Sequence, residues 1–332
     1  MASASSTAAK STESTGIEIL VIDSVSLLPS VIDTAVIGIR PGVPSLFIDL
    51  EGIQLGRHGS ISIMSLYIPS KKRVCLIDIY RLGKEAFSTI NSDGKSLKTL
   101  LESPDILKVL FDVRHDSDAL FGLYGISVDG IRDVQLMELG TRTGSKEFLA
   151  GLKKCVEADS TITQKEKTAW GRTKDHARQL FDPSLGGRYE IFNERPIRQV
   201  IAEYCAGDVT LLPNLFNVYS AKLHPPRETF WKLHILEATK GWIKLSQSPR
   251  FDGKSRANAR GPWDKESIEQ AIDQWNDDIM DEAMNEQEDF DHEFRDIMDC
   301  EEDDDDYGWQ DDGPTSCRDI INSCDYGDYY SD

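Results

Sequence analysis

Two acidic residues separated by one position follow an apolar run early in the chain. The run is SLFIDLE at residues 45–51, and the acids are Asp49 and Glu51. Side chains two positions apart on a β-strand point to the same face, so both carboxylates would face one site. Paired acids at the end of a buried strand repel each other and lose solvation, which a divalent cation relieves. The pair indicates a metal site, although Asp-x-Glu is also common at solvated strand ends.

Two further motifs carry acids at helical positions. In YCAGD, Tyr204 and Asp208 are four residues apart, so a helix would place them on one face. A buried tyrosine bonded to its neighbour is the simpler alternative for this spacing. Between the motifs, FDVRHDSDAL opens an apolar helix, and its Asp116 could be a metal ligand or a helix N-terminal acid facing the dipole. The order and spacing of all three motifs are more specific than any one alone.

The apolar patterns around these motifs predict strands followed by helices. The predicted strands are residues 45–51, 60–68 and 73–79, and the predicted helices are residues 96–101, 116–123 and 196–219. Residues 151–195 are polar and basic, and we interpret them as a helix with an irregular loop. This succession is typical of an α/β sandwich.

The charge of the chain is unevenly distributed. The formal net charge is −20, but residues 264–332 hold 27 of the 57 acidic residues and only three of the 37 basic ones. We therefore expect a mildly basic folded part and an acidic, low-complexity tail that is disordered. The predicted division is a disordered N-terminus at 1–16, a catalytic domain at 17–224, a basic-aromatic extension at 225–263 and the tail at 264–332.

The basic-aromatic extension has two interpretations. Its bases alternate with aromatic residues that include Trp231 and Trp242. Such a stretch could follow a phosphate backbone and stack bases on the tryptophans. It could equally be an amphipathic helix that packs those tryptophans against the domain.

Composition also excludes some classes of protein. The chain has no run of about 18 apolar residues that could span a membrane, and no apolar h-region near its start. The six cysteines have no zinc-like spacing, so we expect reduced thiols. We expect a soluble intracellular protein, cytoplasmic or nuclear, that does not contact membranes.

Together the motifs resemble the DEDD superfamily of 3′-5′ exonucleases, in the branch with tyrosine in the third motif (DEDDy), typified by ribonuclease D. FIDLEG matches the first motif, FDVRHDSDALFGLYGI followed by Asp-Val-Gln the second, and YCAGDVTLLPNL the third. The matching residues are Asp49, Glu51, Asp116, Tyr204 and Asp208, with Asp112 and Asp118 close to the second-motif position. The run LEGIQLGRHGSISIMSLYIP also resembles a fungal-type subgroup.

The resemblance implies a ribonuclease H-like fold with a mixed sheet of about five strands, the second antiparallel, flanked by helices. It implies that the four acids hold two Mg²⁺ or Mn²⁺ ions, while Tyr204 orients the attacking water. The implied substrate is the 3′ end of a single-stranded nucleic acid, with RNA slightly favoured over DNA. Further candidate contacts to nucleic acid are Arg172, Lys174, Arg178, Arg195, Trp231 and Trp242.

Two other functions remain open from the sequence. The first is a nuclease fold that binds nucleic acid or protein without cutting. The second is a scaffold that recruits protein partners through its acidic tail. Turnover of a labelled strand would separate the first from an exonuclease, and a tail deletion that abolishes function while Asp208→Ala leaves it intact would favour the second.

Overall fold

The computed structural model describes residues 16–37 and 39–280, which contain a six-stranded sheet flanked by helices. The strands are β1 Glu18–Ile22, β2 Leu46–Glu51, β3 Ile63–Ile68, β4 Arg73–Ile77, β5 Lys108–Leu110 and β6 Ile131–Asp133. The α-helices are α1 Leu28–Ile37, α2 Ile79–Leu82, α3 Glu85–Ser88, α4 Leu97–Glu102, α5 Val113–Tyr124, α6 Val134–Thr141, α7 Leu152–Asp159, α8 Gln164–Phe181, α9 Gln199–Lys222 and α10 Thr229–Gln247.

The sheet has the predicted mixed character. Its strand order is β1-β4-β3-β2-β5-β6, and β3 runs antiparallel to both of its neighbours while the other pairs are parallel. The α/β fold class is therefore confirmed, with the second of the predicted strands antiparallel. The sheet has six strands rather than about five; β1, which pairs with β4 at the edge of the sheet, and β5 and β6 were not among the three strands predicted from the apolar patterns.

The register of the sheet brings the acid-bearing segments together. Leu46 and Phe47 of β2 pair with Lys108 and Val109 of β5. Continuing that register, Asp49 lies level with the residues that follow β5, where α5 begins. Parallel strands end at the same edge of a sheet, so the end of β2 and the start of α5 meet there.

Helix α9 covers the strands that lead to this edge. It contacts β2, β3, β4 and β5, and α6, α7 and α8 pack around it. Its buried residues include Ile201, Tyr204, Cys205 and Asp208, which repeat at helical spacing. The third motif is thus held against the strand that carries the first.

The basic-aromatic extension folds back onto the domain. Helix α10 packs on α5 and α6, within the compact unit that extends to Asp273. Trp242 is only 5% exposed, and the Arg114 guanidinium lies 4.0 Å from its ring centroid. Trp231 is partly buried against Trp263. The tryptophans therefore pack as in the amphipathic-helix interpretation, and the suggestion that Trp242 stacks on a base is wrong because its ring is covered.

The remaining sequence predictions concern the ends of the chain. Residues 265–280 are helical and largely exposed, so the expected tail begins with a helix. The rest of the predicted tail and all but Gly16 of the predicted N-terminal segment lie outside the described residues. Among the helices that the structure describes, none has the length and apolar character required to cross a membrane. The three cysteines described, Cys75, Cys155 and Cys205, are buried free thiols.

Candidate active site

Three carboxylates from two elements converge at the end of β2. Asp49, Glu51 and Asp208 each offer an oxygen, and these oxygens all lie within 4.8 Å of one another. Asp49 and Glu51 are partly exposed on one face of β2, while Asp208 is 6% exposed on α9. The same-face geometry expected of the Asp-x-Glu pair is therefore present, and α9 adds a third acid to it.

The fourth predicted acid faces this group from α5. Asp116 is 5% exposed in the first turn of that helix. Loss of solvation raises the pKa of Asp116 well above its ordinary value, and repulsion from Asp49 and Glu51 raises it further. Asp116 is not among the three residues within 4.8 Å of one another, so it flanks the cluster rather than completing it.

The two acids near Asp116 have other partners. Asp112 precedes α5 and receives two hydrogen bonds of 2.7 Å from the Arg114 guanidinium. Asp118 accepts from the backbone N–H of Arg57 at 2.9 Å and from its Nε at 2.5 Å. Each of these acids has its own cation, which leaves Asp116 as the second-motif acid that faces the cluster.

Tyr204 lies beside the carboxylates with its hydroxyl on Glu51. The hydrogen bond from Tyr204 lowers the pKa of Glu51, and the tyrosine ring packs 5.2 Å from that of Phe181. Burial and the nearby charge of Glu51 raise the pKa of Tyr204 well above its usual value. The phenol therefore stays protonated and can donate a hydrogen bond, but it cannot serve as a base near neutral pH.

The carboxylates repel one another strongly. Burial, followed by repulsion from Asp208, raises the pKa of Asp49 to about 7. Burial, followed by repulsion from Asp49 and Asp208, raises the pKa of Glu51 well above its usual range. Such a group is stabilised in its charged form by added positive charge.

The donor set fits a divalent cation. All of the converging ligands are carboxylate oxygens, which Mg²⁺ and Mn²⁺ prefer over softer donors. Opposite oxygens around Mg²⁺ are about 4.2 Å apart, so small side-chain movements would bring Asp49, Glu51 and Asp208 to one ion.

Helix α8 contributes two groups to the cluster. Lys174 Nζ donates to Asp208 Oδ2 at 2.5 Å, and Trp170 Nε1 donates to Asp208 Oδ1 at 3.2 Å. The Lys174 charge also lowers the pKa values of Asp49 and Glu51. From the sequence, Lys174 was expected only as a contact to nucleic acid, and Trp170 was given no role. Their four-residue spacing in a predicted helix was the available signal.

The other predicted nucleic-acid contacts are more dispersed. Arg172 is exposed on α8, and Arg178 is half-exposed and bonded to Asp182. Arg195 is different, because its side chain is 8% exposed and forms a two-pronged ion pair with the fully buried Asp78. The suggestion that Arg195 contacts nucleic acid is wrong, since its guanidinium is used to join the segment before α9 to the end of β4.

Comparison with known proteins finds a family match over a part of the chain that includes Asp116, Tyr204 and Asp208. Residues 61–223 match the family described as 3′-5′ exonuclease. The mouse protein named piRNA biogenesis protein EXD1 is 35% identical over 94 residues, which are 28% of this chain and 15% of that relative. The chain therefore aligns with only a small part of the length of this relative.

Two solved structures have a similar fold. Trypanosoma brucei RNase D bound to GMP has a TM-score of 0.57 and 21% identity over 73% of this chain and 69% of that chain. The same enzyme in complex with RNA U12 also has a TM-score of 0.57, with 19% identity over 76% of this chain and 78% of that chain. The family match begins at residue 61, so the placement of Asp49 and Glu51 in the site rests on the fold geometry described above.

Proposed function

We infer that this chain, which carries an RNase D-like 3′-5′ exonuclease domain of the DEDD superfamily, hydrolyses phosphodiester bonds at the 3′ ends of single-stranded nucleic acids. The observation that carries this proposal is the convergence of Asp49, Glu51 and Asp208, with Asp116 and Tyr204 beside them. Acids this close are costly in a folded protein unless a cation uses them.

The four acids would hold two divalent ions, with Mg²⁺ or Mn²⁺ as the candidates. Asp49 is central because it interacts with Glu51, Asp208 and Asp116. Asp49, Glu51 and Asp208 would hold one ion and Asp116 would help to hold the other. Bound there, the ions would make water a better nucleophile and neutralise charge on the phosphate and the departing oxygen.

The protein groups around the acids would position the reactants. Tyr204 donates a hydrogen bond from a protonated phenol, which suits it to orient the attacking water. Lys174 and the exposed Arg172 lie on α8, the helix that borders the acids, and would contact the phosphates of the strand. Arg178 lies on the same helix and is half-exposed, so it can add a weaker contact.

Single-stranded RNA is the substrate that we propose. The site lies at the end of β2, beside α8 and α9. A single-stranded nucleic acid enters such a site more easily than the stacked end of a duplex. The Trypanosoma brucei enzyme with the similar fold was solved in complex with RNA U12 and is named RNase D. These points favour RNA over DNA.

A stepwise degradation assay tests the proposal. Full-length protein should shorten a 5′-labelled RNA oligomer one nucleotide at a time with Mg²⁺, and should act more slowly on the matched DNA oligomer. Asp49→Asn should lower the rate by more than about 100-fold, the scale of losing one group that stabilises transition-state charge. Asp175→Asn is the matched control, because Asp175 is an exposed acid on α8 paired with Lys153.

The outcomes separate the proposal from its alternative. Loss of shortening in Asp49→Asn but not in Asp175→Asn would support the exonuclease. Binding of the oligomer without any shortening by the wild-type protein would instead identify a nuclease fold that binds and does not cut.

A further inference from the structure

The loop that follows the catalytic strand is tied to two helices by one arginine. Arg57 lies between β2 and β3, and its backbone N–H and Nε both donate to Asp118 of α5. Its Nη2 donates to the Ser246 carbonyl in the last turn of α10 at 2.5 Å. A β-carbon at Gly122 would lie 2.4 Å from the Arg57 Cβ, so the arginine stem crosses α5 where only glycine leaves room. Arg57 thus joins the first-motif strand, the second-motif helix and the C-terminal part of the chain.

A second arginine joins α5 to the same C-terminal part. Arg114 is 4% exposed and grips Asp112 with two nitrogens. Its Nη2 also donates to the Asn258 carbonyl at 2.9 Å, and its guanidinium lies over the Trp242 ring at 4.0 Å. A planar guanidinium can make these bonds and stack on the aromatic ring at the same time. The start of α5 is therefore held from two sides.

The segment after α10 covers the residue next to Asp116. The Phe251 ring lies edge-on to the His115 ring, with 6.3 Å between centroids. A β-carbon at Gly253 would lie 2.9 Å from His115 Cε1, so the backbone passes directly against this histidine. This contact therefore lies on the first turn of α5, one residue from Asp116.

We propose that residues 229–259, the C-terminal clamp, position Asp116 for metal binding, with Arg57 and Arg114 as its positioning residues. This inference rests on the proposed function, because it assigns a role to parts of the chain outside the three motifs. Asp116 lies in the first turn of α5, between Asp112 and Asp118, the two acids that are bonded to Arg114 and Arg57. Because both arginines also donate to backbone carbonyls of the clamp, the clamp fixes the position of Asp116 before the second ion binds.

Metal binding by full-length variants tests the clamp. Arg57→Met and Arg114→Met each remove a guanidinium that bonds both to an acid of the α5 region and to a backbone carbonyl of the clamp. Arg142→Met is the matched control, because Arg142 also grips an acid, Glu138, with two nitrogens and donates to two carbonyls, while its partners lie outside the acid cluster. Calorimetry with Mn²⁺ alone should show two sites in the wild type. The affinity of the weaker site should fall at least tenfold in the two clamp variants and stay unchanged in Arg142→Met. With the labelled RNA oligomer, kcat should fall in those variants while KM stays near the wild-type value.

The stability readout separates positioning from general damage. The melting temperatures of all three variants should fall below that of the wild type by similar amounts, because each variant loses a comparable ion pair. Equal Mn²⁺ affinity in clamp and control variants would overturn the proposal. If Arg57→Met does not fold, Arg57→Lys keeps the positive charge but lacks the planar guanidinium, and its weaker site should bind Mn²⁺ less tightly than the wild type does. An unchanged Mn²⁺ affinity of that site would also overturn the proposal.

The experiment also separates this inference from the proposed function. A wild-type protein that binds two Mn²⁺ ions but shortens no strand would refute the exonuclease and leave the comparison of clamp and control variants valid. A wild-type protein that shortens the strand, with clamp variants that behave like Arg142→Met, would refute the clamp alone. A wild-type protein that binds no Mn²⁺ would refute both.

Discussion

At the scale of single residues, α5 shows how neighbours of one type acquire different functions. Asp112, Asp116 and Asp118 lie close together at the start of α5. Asp112 and Asp118 are paired with arginines, whereas Asp116 faces other acids. A carboxylate with a raised pKa destabilises the folded protein when it is ionised, whereas a carboxylate in an ion pair stabilises it. Their substitutions should therefore have opposite effects on stability.

Asp116→Asn and Asp118→Asn provide that comparison. Asp116→Asn should raise the melting temperature of the metal-free protein, because a repelling charge is removed, and should lower the cleavage rate about 100-fold. Asp118→Asn should lower the free energy of unfolding by about 1–3 kcal/mol, because Arg57 loses its charged partner. Thermal unfolding and the labelled-strand assay measure the two effects. Wild-type cleavage by Asp116→Asn would show that another acid serves the second motif.

Lys174→Met should change how the site takes up metal. The Lys174 ammonium is bonded to Asp208 and lowers the pKa values of Asp49 and Glu51, so it competes with any cation for the same oxygens. We expect Mn²⁺ to bind about tenfold more tightly to Lys174→Met, and the KM for the RNA strand to rise because a phosphate contact is lost. Lys153→Met, on a half-exposed lysine paired with Asp175, is the control. Weaker Mn²⁺ binding in Lys174→Met would contradict this role.

Asp49, Glu51 and Asp208 converge in the structure, but their cationic partners were not predicted. Periodicity placed Asp49 with Glu51 and Tyr204 with Asp208 on shared faces, and the resemblance to the DEDD exonucleases singled them out as site residues. The choice among the α5 acids, and the pairing of Asp208 with Lys174, depend on how separate elements pack. Spacing within one element holds no information about such contacts, which is also why the buried partner of Arg195 was missed.

At the scale of elements, β5 carries a lysine where a core residue is expected. Lys108 is fully buried, and its Nζ donates to the carbonyls of Leu100 and Ser103 at the end of α4, at 3.0 and 2.6 Å. Burial lowers the pKa of Lys108 to about 8. The ammonium thus caps α4, but its charge opposes folding wherever it is protonated.

The pH dependence of stability should report this lysine. In the unfolded chain a lysine has a pKa of about 10.4, so the unfolded state binds more protons than the folded state between about pH 8 and 10. Below about pH 8 both states are protonated and the cost is fully present. Between these values the free energy of unfolding of the wild type should rise relative to Lys108→Met, by up to about 1.4 kcal/mol per pH unit. Urea unfolding of both proteins at each pH measures the difference, and a difference that is constant with pH would refute the assignment.

Three of the six strands and three of the ten named α-helices were predicted at their positions, and several of the missed elements have physical causes. Strands β2 to β4 and helices α4, α5 and α9 were expected because long apolar patterns and capping signals mark them. Strand β1, Glu18–Ile22, becomes a strand through its pairing with β4, while β5 and β6 have three residues each, too few to show a periodic pattern. The packing of α10 was left open because a basic, aromatic helix is compatible with solvent, nucleic acid or a protein surface. In the structure α10 packs against α5 and α6, so it covers a protein surface.

At the scale of the whole molecule, the acidic tail is the dominant charge. Residues 264–332 hold 27 acids and three bases, whereas the preceding residues have a small excess of bases. A block of like charge can compete with nucleic acid for a basic surface. Deleting residues 264–332 should therefore tighten RNA binding at low salt, as measured by fluorescence anisotropy. At 1 M salt, where screening acts over about 3 Å, the full-length and shortened proteins should bind alike. Equal affinity at low salt would remove this role for the tail.

The bond between Lys174 and Asp208 has a practical consequence for the protein in the absence of ions. Because Lys174 supplies a positive charge to the acids of the site, we expect the protein to stay folded when the ions are removed. Treatment with a chelator should stop turnover and lower the thermal unfolding midpoint only by the stabilisation that ion binding adds, and added Mg²⁺ should restore turnover within the mixing time. The nuclease that we propose would then remain folded and inactive until the ion arrives.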